Sequence, residues 1–166
     1  SLLWMIESTP FLWYLLASYK TYFQFFSKNS EGDTVMAMEI SFPGGKKVDA
    51  VFKGFTIKTD QTEKDGGEGS APTPTFMFLS SLGTCAGIYA LNFCEKRKID
   101  TEKLKLTLEF ESDQKTHMIK KVNMRLTLPP NFPEKYTPAI IKAMNLCYVK
   151  KHLHEPPEFE TIALKK

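Results

Sequence analysis

Several features that would fix a function class are missing from this sequence. There are three cysteines in 166 residues and no CxxC pair, so neither a paired zinc half-site nor a dense disulfide framework has the residues it needs. No stretch collects charge of one sign: 22 basic and 19 acidic residues are interspersed to a formal net charge of +3. Without a basic stripe, no nucleic acid partner is expected. The aromatic-rich opening SLLWMIESTPFLWYLLASYKTYFQFF is broken by Glu7 and Pro10 before it reaches the roughly 18 to 20 apolar residues of a spanning helix. No basic segment precedes it as in a signal peptide. No stable membrane insertion is expected, and the sparse, odd cysteine count points to a reducing, cytoplasmic setting.

What is present fits one domain with a modest core. Residues 1–34 read as a hydrophobic N-terminal extension, in which Thr9 and Pro10 predict a helix over about 10–26. That segment could pack on the domain, lie on a membrane surface, or be sequence read through from upstream. From residue 35 to 166 the pattern is regular. VMAMEISF puts Met36, Met38, Ile40 and Phe42 on one face, PGGK turns the chain, and Val48, Ala50 and Phe52 continue the alternation, which predicts a hairpin. FTIKTD predicts a third short strand with Phe55 and Ile57 inward. Residues 60–74 are loop-forming by their glycines, prolines and charges.

Thr73 and Pro74 open an apolar run to Phe93 with no polar stripe, predicting a central helix covered on most sides. Lys96, Arg97 and Lys98 suit the negative end of its dipole. Leu104, Leu106, Leu108 and Phe110 alternate with polar residues, as do Val122, Met124, Leu126 and Leu128 after a polar turn near 113–117; these predict two antiparallel strands with one solvated face. Thr137 and Pro138 predict a capped helix to about His152 that buries Ile140, Ile141, Met144, Cys147 and Tyr148. PPEFETIA predicts a short last strand. The order is that of an α+β domain with helices gathered on a largely antiparallel sheet.

The cysteines constrain one another. Cys85 and Cys94, nine positions apart on one helix, fall on opposite faces and about 13 Å apart along the axis, too far for a disulfide. Cys147 lies on a different helix and is the partner left to Cys85 within the chain, although core packing accounts equally well for two single buried thiols. His152 and His154 suggest a metal with Cys147. On a continuous helix, however, Cys147 and His152 point about 140° apart, so no metal is expected. Phe76, Phe78 and Phe93 could line an apolar pocket or simply fill the core, and Tyr89 and Tyr148 read as pocket walls or core rather than as proton donors.

GGEGSAPTPTFMFLSSLGTCAGIYAL resembles the signature of the OsmC/Ohr family, a proline followed by a hydrophobic run that ends in a small residue and a cysteine on a central helix. LCYVKKHLHEPPEF resembles the family's second-cysteine region, and the similarity runs from about Met36 to Ala163. The resemblance implies an intertwined homodimer with a buried central helix and active sites at the subunit interface. It also implies a thiol-dependent peroxidase that needs no cofactor. Cys85 would attack an organic hydroperoxide, Cys147 would resolve the sulfenic acid, and a dithiol reductant would reset the pair. The sequence departs from the family pattern at Thr75, ten positions before Cys85, where the best-known branches carry a glutamate that pairs with an arginine. Glu68 is the candidate substitute, with Lys46 and Lys47 in place of the arginine. The rival reading is a binding module that holds an apolar small molecule in the interfacial pocket, with Cys85 as inert wall.

Overall fold

The structure, a computed structural model, describes residues 36–165. The extension expected over 1–34 and its helix lie outside the described residues. The chain divides between Pro72 and Thr73 into two compact units, and the domain expected over 35–166 includes residues of both.

In the first unit, β1 (Glu39–Gly44), β2 (Lys47–Phe52) and β3 (Phe55–Ile57) form an antiparallel sheet in that order. Both turns use positive φ, at Gly44 and Gly45 in the first and at Lys53 and Gly54 in the second. The two-residue turn needs this to match the twist of its strands. The expected hairpin and third strand are therefore present, but their burial is not as expected. Ile40, Ala50 and Ile57 are cross-strand neighbours and share a face. Ile40 and Ile57 are nonetheless exposed, as are Met36 and Met38, while Phe42 and Phe55 are 79% and 74% exposed. Alternation shows which side of a strand is apolar, and nothing within this unit covers that side.

The loop after β3 is ordered by one buried carboxylate. Asp60 is fully inaccessible to solvent. It accepts hydrogen bonds from the Ser70 hydroxyl at 2.7 Å, Ser70 N–H at 3.0 Å, Gln61 N–H at 2.8 Å and Glu68 N–H at 3.2 Å. Four donors replace the water that a buried carboxylate loses. Between them the chain makes a 3-10 turn at Glu63–Asp65 and returns past Gly67. A Cβ on Gly67 would stand 2.1 Å from the Gln61 carbonyl oxygen, so only glycine fits there.

The second unit is built on α1 (Pro74–Glu95), whose Thr73 hydroxyl caps the N-terminus by accepting from Phe76 N–H at 3.4 Å, with Pro74 in the first turn. That is the start the sequence predicts. At the other end Arg97 donates to the Phe93 carbonyl at 3.2 Å and stacks 3.7 Å from the Phe93 ring centroid, satisfying a terminal acceptor while its plane covers the core. β4 (Lys105–Ser112) and β5 (Ile119–Thr127) pair antiparallel, with Leu106 opposite Leu126 and Leu108 opposite Met124. Their turn is closed by Asp113, which accepts from Lys115 and Thr116 N–H groups at 3.0 Å each.

Two short helices follow, α2 (Thr137–Met144) and α3 (Tyr148–His154). Ala86, Ala90, Phe93 and Cys94 of α1 pack with Ile140, Met144 and Cys147, and Leu106, Met124 and Leu126 close over them. Gly83 admits the close approach of β4: a Cβ there would lie 2.8 Å from Leu108 Cδ1.

Four expectations are corrected in this unit. The helix predicted to His152 is two helices, interrupted at residues 145–147, so Cys147 sits at the break rather than on a helix face. Thr137 is already helical, and Tyr136, ending a 3-10 turn at Glu134–Tyr136, occupies the cap position without a side-chain bond. PPEFETIA forms no strand; Pro156 and Pro157 have no N–H to offer a ladder. Finally, Leu79, Leu82, Ala86, Ala90 and Phe93 bury one face of α1, whereas Phe76, Phe78 and Ile88 are exposed. The second unit by itself covers one side of this helix, not most sides.

Candidate functional site

The break between α2 and α3 creates the site. A helix start leaves N–H groups without intrahelical acceptors, and α3 has no side-chain cap, because the residue before it is Cys147 with φ −49° and ψ 119°. The Cys85 side chain reaches this end from the middle of α1, where the Val149 and Tyr148 N–H groups and the Cys147 side chain act on its thiol. The Lys150 N–H acts likewise on the Cys147 thiol, whose sulfur lies 3.9 Å from the Leu82 carbonyl, one turn before Cys85 on α1. The three cysteines are free thiols. Cys85 is partly exposed and Cys147 is buried.

This geometry separates the two thiols electrostatically. Burial pushes the Cys85 thiol up, but the Val149 N–H, the Cys147 side chain, the Tyr148 N–H and the charge of Lys150 together bring it below its ordinary value. Burial also pushes Cys147 up. Its bond to Lys150 N–H opposes this, while the neighbouring Cys85 side chain and charge reinforce it, so Cys147 stays above its ordinary value. The two thiols are thus displaced in opposite directions, Cys85 toward the thiolate and Cys147 away from it. Cys94 is fully buried and burial holds its thiol up, with Arg97 opposing; it is part of the core.

Of the residues the sequence singled out, Cys85 and Cys147 are brought together. Glu68 belongs to the first unit, where its carboxylate accepts from the Lys47 ammonium at 2.6 Å, and this bond is the main cause that holds Lys47 above its ordinary value. Lys46 makes no ion pair among the described residues. Phe93 is core, meeting Tyr136 edge-to-face at 6.0 Å between ring centroids, whereas Phe76 and Phe78 are exposed and line no described pocket. The pocket of the second unit is instead a groove of about 450 Å³ walled by Leu82, Met124, Leu126, Ile140, Met144 and Leu153, with Lys150 and Asn145 as polar members. His152 meets the Tyr148 ring edge-to-face, and its Nδ1 lies 2.8 Å from the Tyr148 carbonyl. Among the described residues no cluster of three His, Cys, Asp or Glu side chains could hold a metal ion.

Sequence reasoning missed Asn145, Lys150 and the N–H groups of Tyr148 and Val149. The apolar spacing of Ala143, Leu146, Cys147 and Val149 runs through the break without a glycine or proline to mark it. Asp60 had a signal, an aspartate placed directly before a glycine-rich turn.

Residues 67–162 match the family model described as OsmC-like protein. The chain belongs to that family. Solved structures agree on the fold. One is a protein of Psychrobacter arcticus 273-4 named for osmotic stress induction and a detoxification response. It is 18% identical, with a TM-score of 0.60 over 69% of this chain and 85% of that one. An OsmC like protein from Mycoplasma pneumoniae is 15% identical, with a TM-score of 0.58 over 73% and 88%. A hypothetical protein from Aquifex aeolicus VF5 is 15% identical, with a TM-score of 0.54 over 74% and 89%. Curated protein sequences give no match. The α+β fold with antiparallel sheets that the resemblance implied is the fold of this chain.

Proposed function

We propose that this protein is a thiol-dependent peroxidase that reduces organic hydroperoxides, with Cys85 as the attacking thiol and Cys147 as the resolving one. The observation that carries this reading is that Cys85, from the middle of α1, packs against the cluster that holds Cys147 at the break between α2 and α3, and the lowering of the Cys85 thiol agrees with it. The Cys85 thiolate attacks the distal peroxide oxygen, the O–O bond breaks, and the alkoxide leaves with a proton as alcohol. Cys85 becomes a sulfenic acid. The Cys147 sulfur then displaces water from it to form a disulfide, and a dithiol reductant takes over that bond. A buried S–H held in contact is suited to the second step, because the sulfenic acid is trapped before a further peroxide reaches it.

The Lys47–Glu68 ion pair is proposed for the charge role that the family pattern gives to its glutamate and arginine, and Glu68→Gln tests it by its effect on turnover. A homodimer in a reducing, cytoplasmic setting completes the proposal. The exposed apolar residues of β1, β3 and α1 support the dimer. The groove beside the thiols favours one second reading, an apolar small-molecule binder in which Cys85 is inert.

Mass spectrometry after one equivalent of cumene hydroperoxide separates the two. A Cys85–Cys147 disulfide is expected in the wild type. Cys85→Ser should abolish turnover with a dithiol, and Cys147→Ser should allow a single oxidation that proceeds to sulfinic acid. Unmodified Cys85 at an oxidant concentration that oxidises free cysteine would sink the peroxidase and favour the binder.

A further inference from the structure

Lys150 stands in the first turn of α3, half-buried, and its ammonium donates to Oδ1 of Asn145 at 2.8 Å across the break that carries Cys147. The same two side chains enter the wall of the apolar groove beside Leu82 and Met144. A lysine stem laid on apolar surface and held at its head by a neutral amide is fixed in place without losing its charge to a carboxylate.

The charges on the surrounding elements leave it unrivalled. α1 carries no charged residue between Pro74 and its last residue, Glu95, so the helix bearing Cys85 provides no counter-ion. On β4, Lys105, Glu109 and Glu111 are exposed, and the two glutamates bind Arg125 at 2.8 Å and Lys121 at 3.7 Å. α2 has only Lys142, which is exposed. On α3, Lys151 is turned to Glu155 at 3.8 Å, His152 is engaged with the Tyr148 carbonyl, and His154 is exposed at the helix end. Among these, Lys150 follows directly on Tyr148 and Val149, the residues of α3 that meet Cys85, and its charge is the last and smallest of the effects that lower that thiol.

We infer that Lys150, tethered by Asn145 across the interhelical break, is a cation of the thiol site beside any charge role of the Lys47–Glu68 pair, a positioning residue that favours the attacking form of the Cys85 sulfur and confronts whatever occupies the groove. The inference rests on Cys85 being the reacting thiol. It identifies a source of positive charge in the same unit as the cysteine pair, contributed by the segment that presents Cys147.

The test is the pH dependence of Cys85 alkylation by iodoacetamide, followed on the Cys85 peptide by mass spectrometry so that Cys94 and Cys147 do not contribute. Lys150→Met should move the alkylation midpoint to higher pH and slow alkylation at neutral pH by about three- to tenfold. Lys150→Arg should restore most of the loss, and Asn145→Ala should move the midpoint in the same direction as Lys150→Met, by less. A merely structural lysine would not shift the midpoint and be rescued by arginine. A midpoint unchanged in Lys150→Met overturns the inference. Should that variant fail to fold, an unchanged midpoint in Asn145→Ala overturns it instead. Peroxide consumption in the same wild-type sample is read separately: a Lys150-dependent midpoint without turnover sinks the peroxidase and leaves this inference standing, while turnover with a Lys150-independent midpoint does the reverse.

Discussion

A carboxylate with no cation bonded to it is stable in a solvent-free position only if dipoles surround it, and Asp60 is such a case. The Ser70 hydroxyl, then the Ser70 N–H, hold its carboxyl down to about 2 against the opposing effect of burial, with the Gln61 and Glu68 N–H groups adding to them. The folded pKa lies below the unfolded one, so the associated stability is fully present above about pH 4 and is lost as the pH falls through about 2. Asp60→Asn should remove this acid limb and lower the melting temperature at neutral pH, because an amide NH2 then meets donors that need an acceptor. Thermal melts of both proteins from pH 2 to 7 check it; equal acid limbs would refute the role given to Asp60. Single residues differed in how readable they were. Cys85 and Cys147 could be picked out because a motif surrounds each, and Thr73 because a proline follows it. Lys150 sits in a lysine pair that reads as solvated surface, and its meaning depends on an asparagine five positions earlier.

Elements were legible where local chemistry decides them. α1 begins at the predicted cap and ends among the predicted basic residues, and β4 and β5 follow the alternation of their leucines. The break before α3 was not legible. There the Cys85 side chain comes from distant sequence to the Tyr148 and Val149 N–H groups, so a tertiary contact stands where the apolar spacing suggests an unbroken helical ladder. The final strand failed for a related reason, since a strand exists only with a partner. Two glycines give a prediction at this scale. A methyl at Gly67 would strike backbone, the Gln61 carbonyl at 2.1 Å, and neither group can yield without dismantling the Asp60 loop. A methyl at Gly83 would meet only the end of the Leu108 side chain at 2.8 Å, which can rotate, while alanine gains about 1 kcal/mol of helix propensity. Gly67→Ala should therefore be strongly destabilising and Gly83→Ala within about 1 kcal/mol of neutral. Denaturant unfolding of the two variants gives the comparison, and a larger loss for Gly83→Ala would show the ranking to be wrong.

At the scale of the whole molecule, the sequence shows which faces are apolar but not which chain covers them. Phe42 and Phe55 on the first unit's sheet and Phe76, Phe78 and Ile88 on α1 are all exposed in the single chain. So many large apolar side chains left exposed on each unit are uncommon on a monomer and mark association. The protein should therefore sediment as a dimer at micromolar concentration, and a truncated chain beginning at Met36 should do the same. A folded, non-associating monomer would remove the dimer, and loss of the dimer on truncation would assign residues 1–35 to the interface.

The helix that follows Cys147 begins without a side-chain cap and beside two thiols, which would tie backbone order to the redox chemistry proposed for them. A thiolate is a strong acceptor for the Val149 and Tyr148 N–H groups; the same atom in a disulfide is a weak one. If Cys85 is oxidised as proposed, the start of a seven-residue helix without a side-chain cap should loosen. The amide protons of this segment should then exchange with solvent slowly while Cys85 is reduced and faster once it is bridged, which hydrogen exchange of the two forms would read. A reductant approaching the oxidised protein would then meet a loosened turn around Cys147, opened by the disulfide it comes to break.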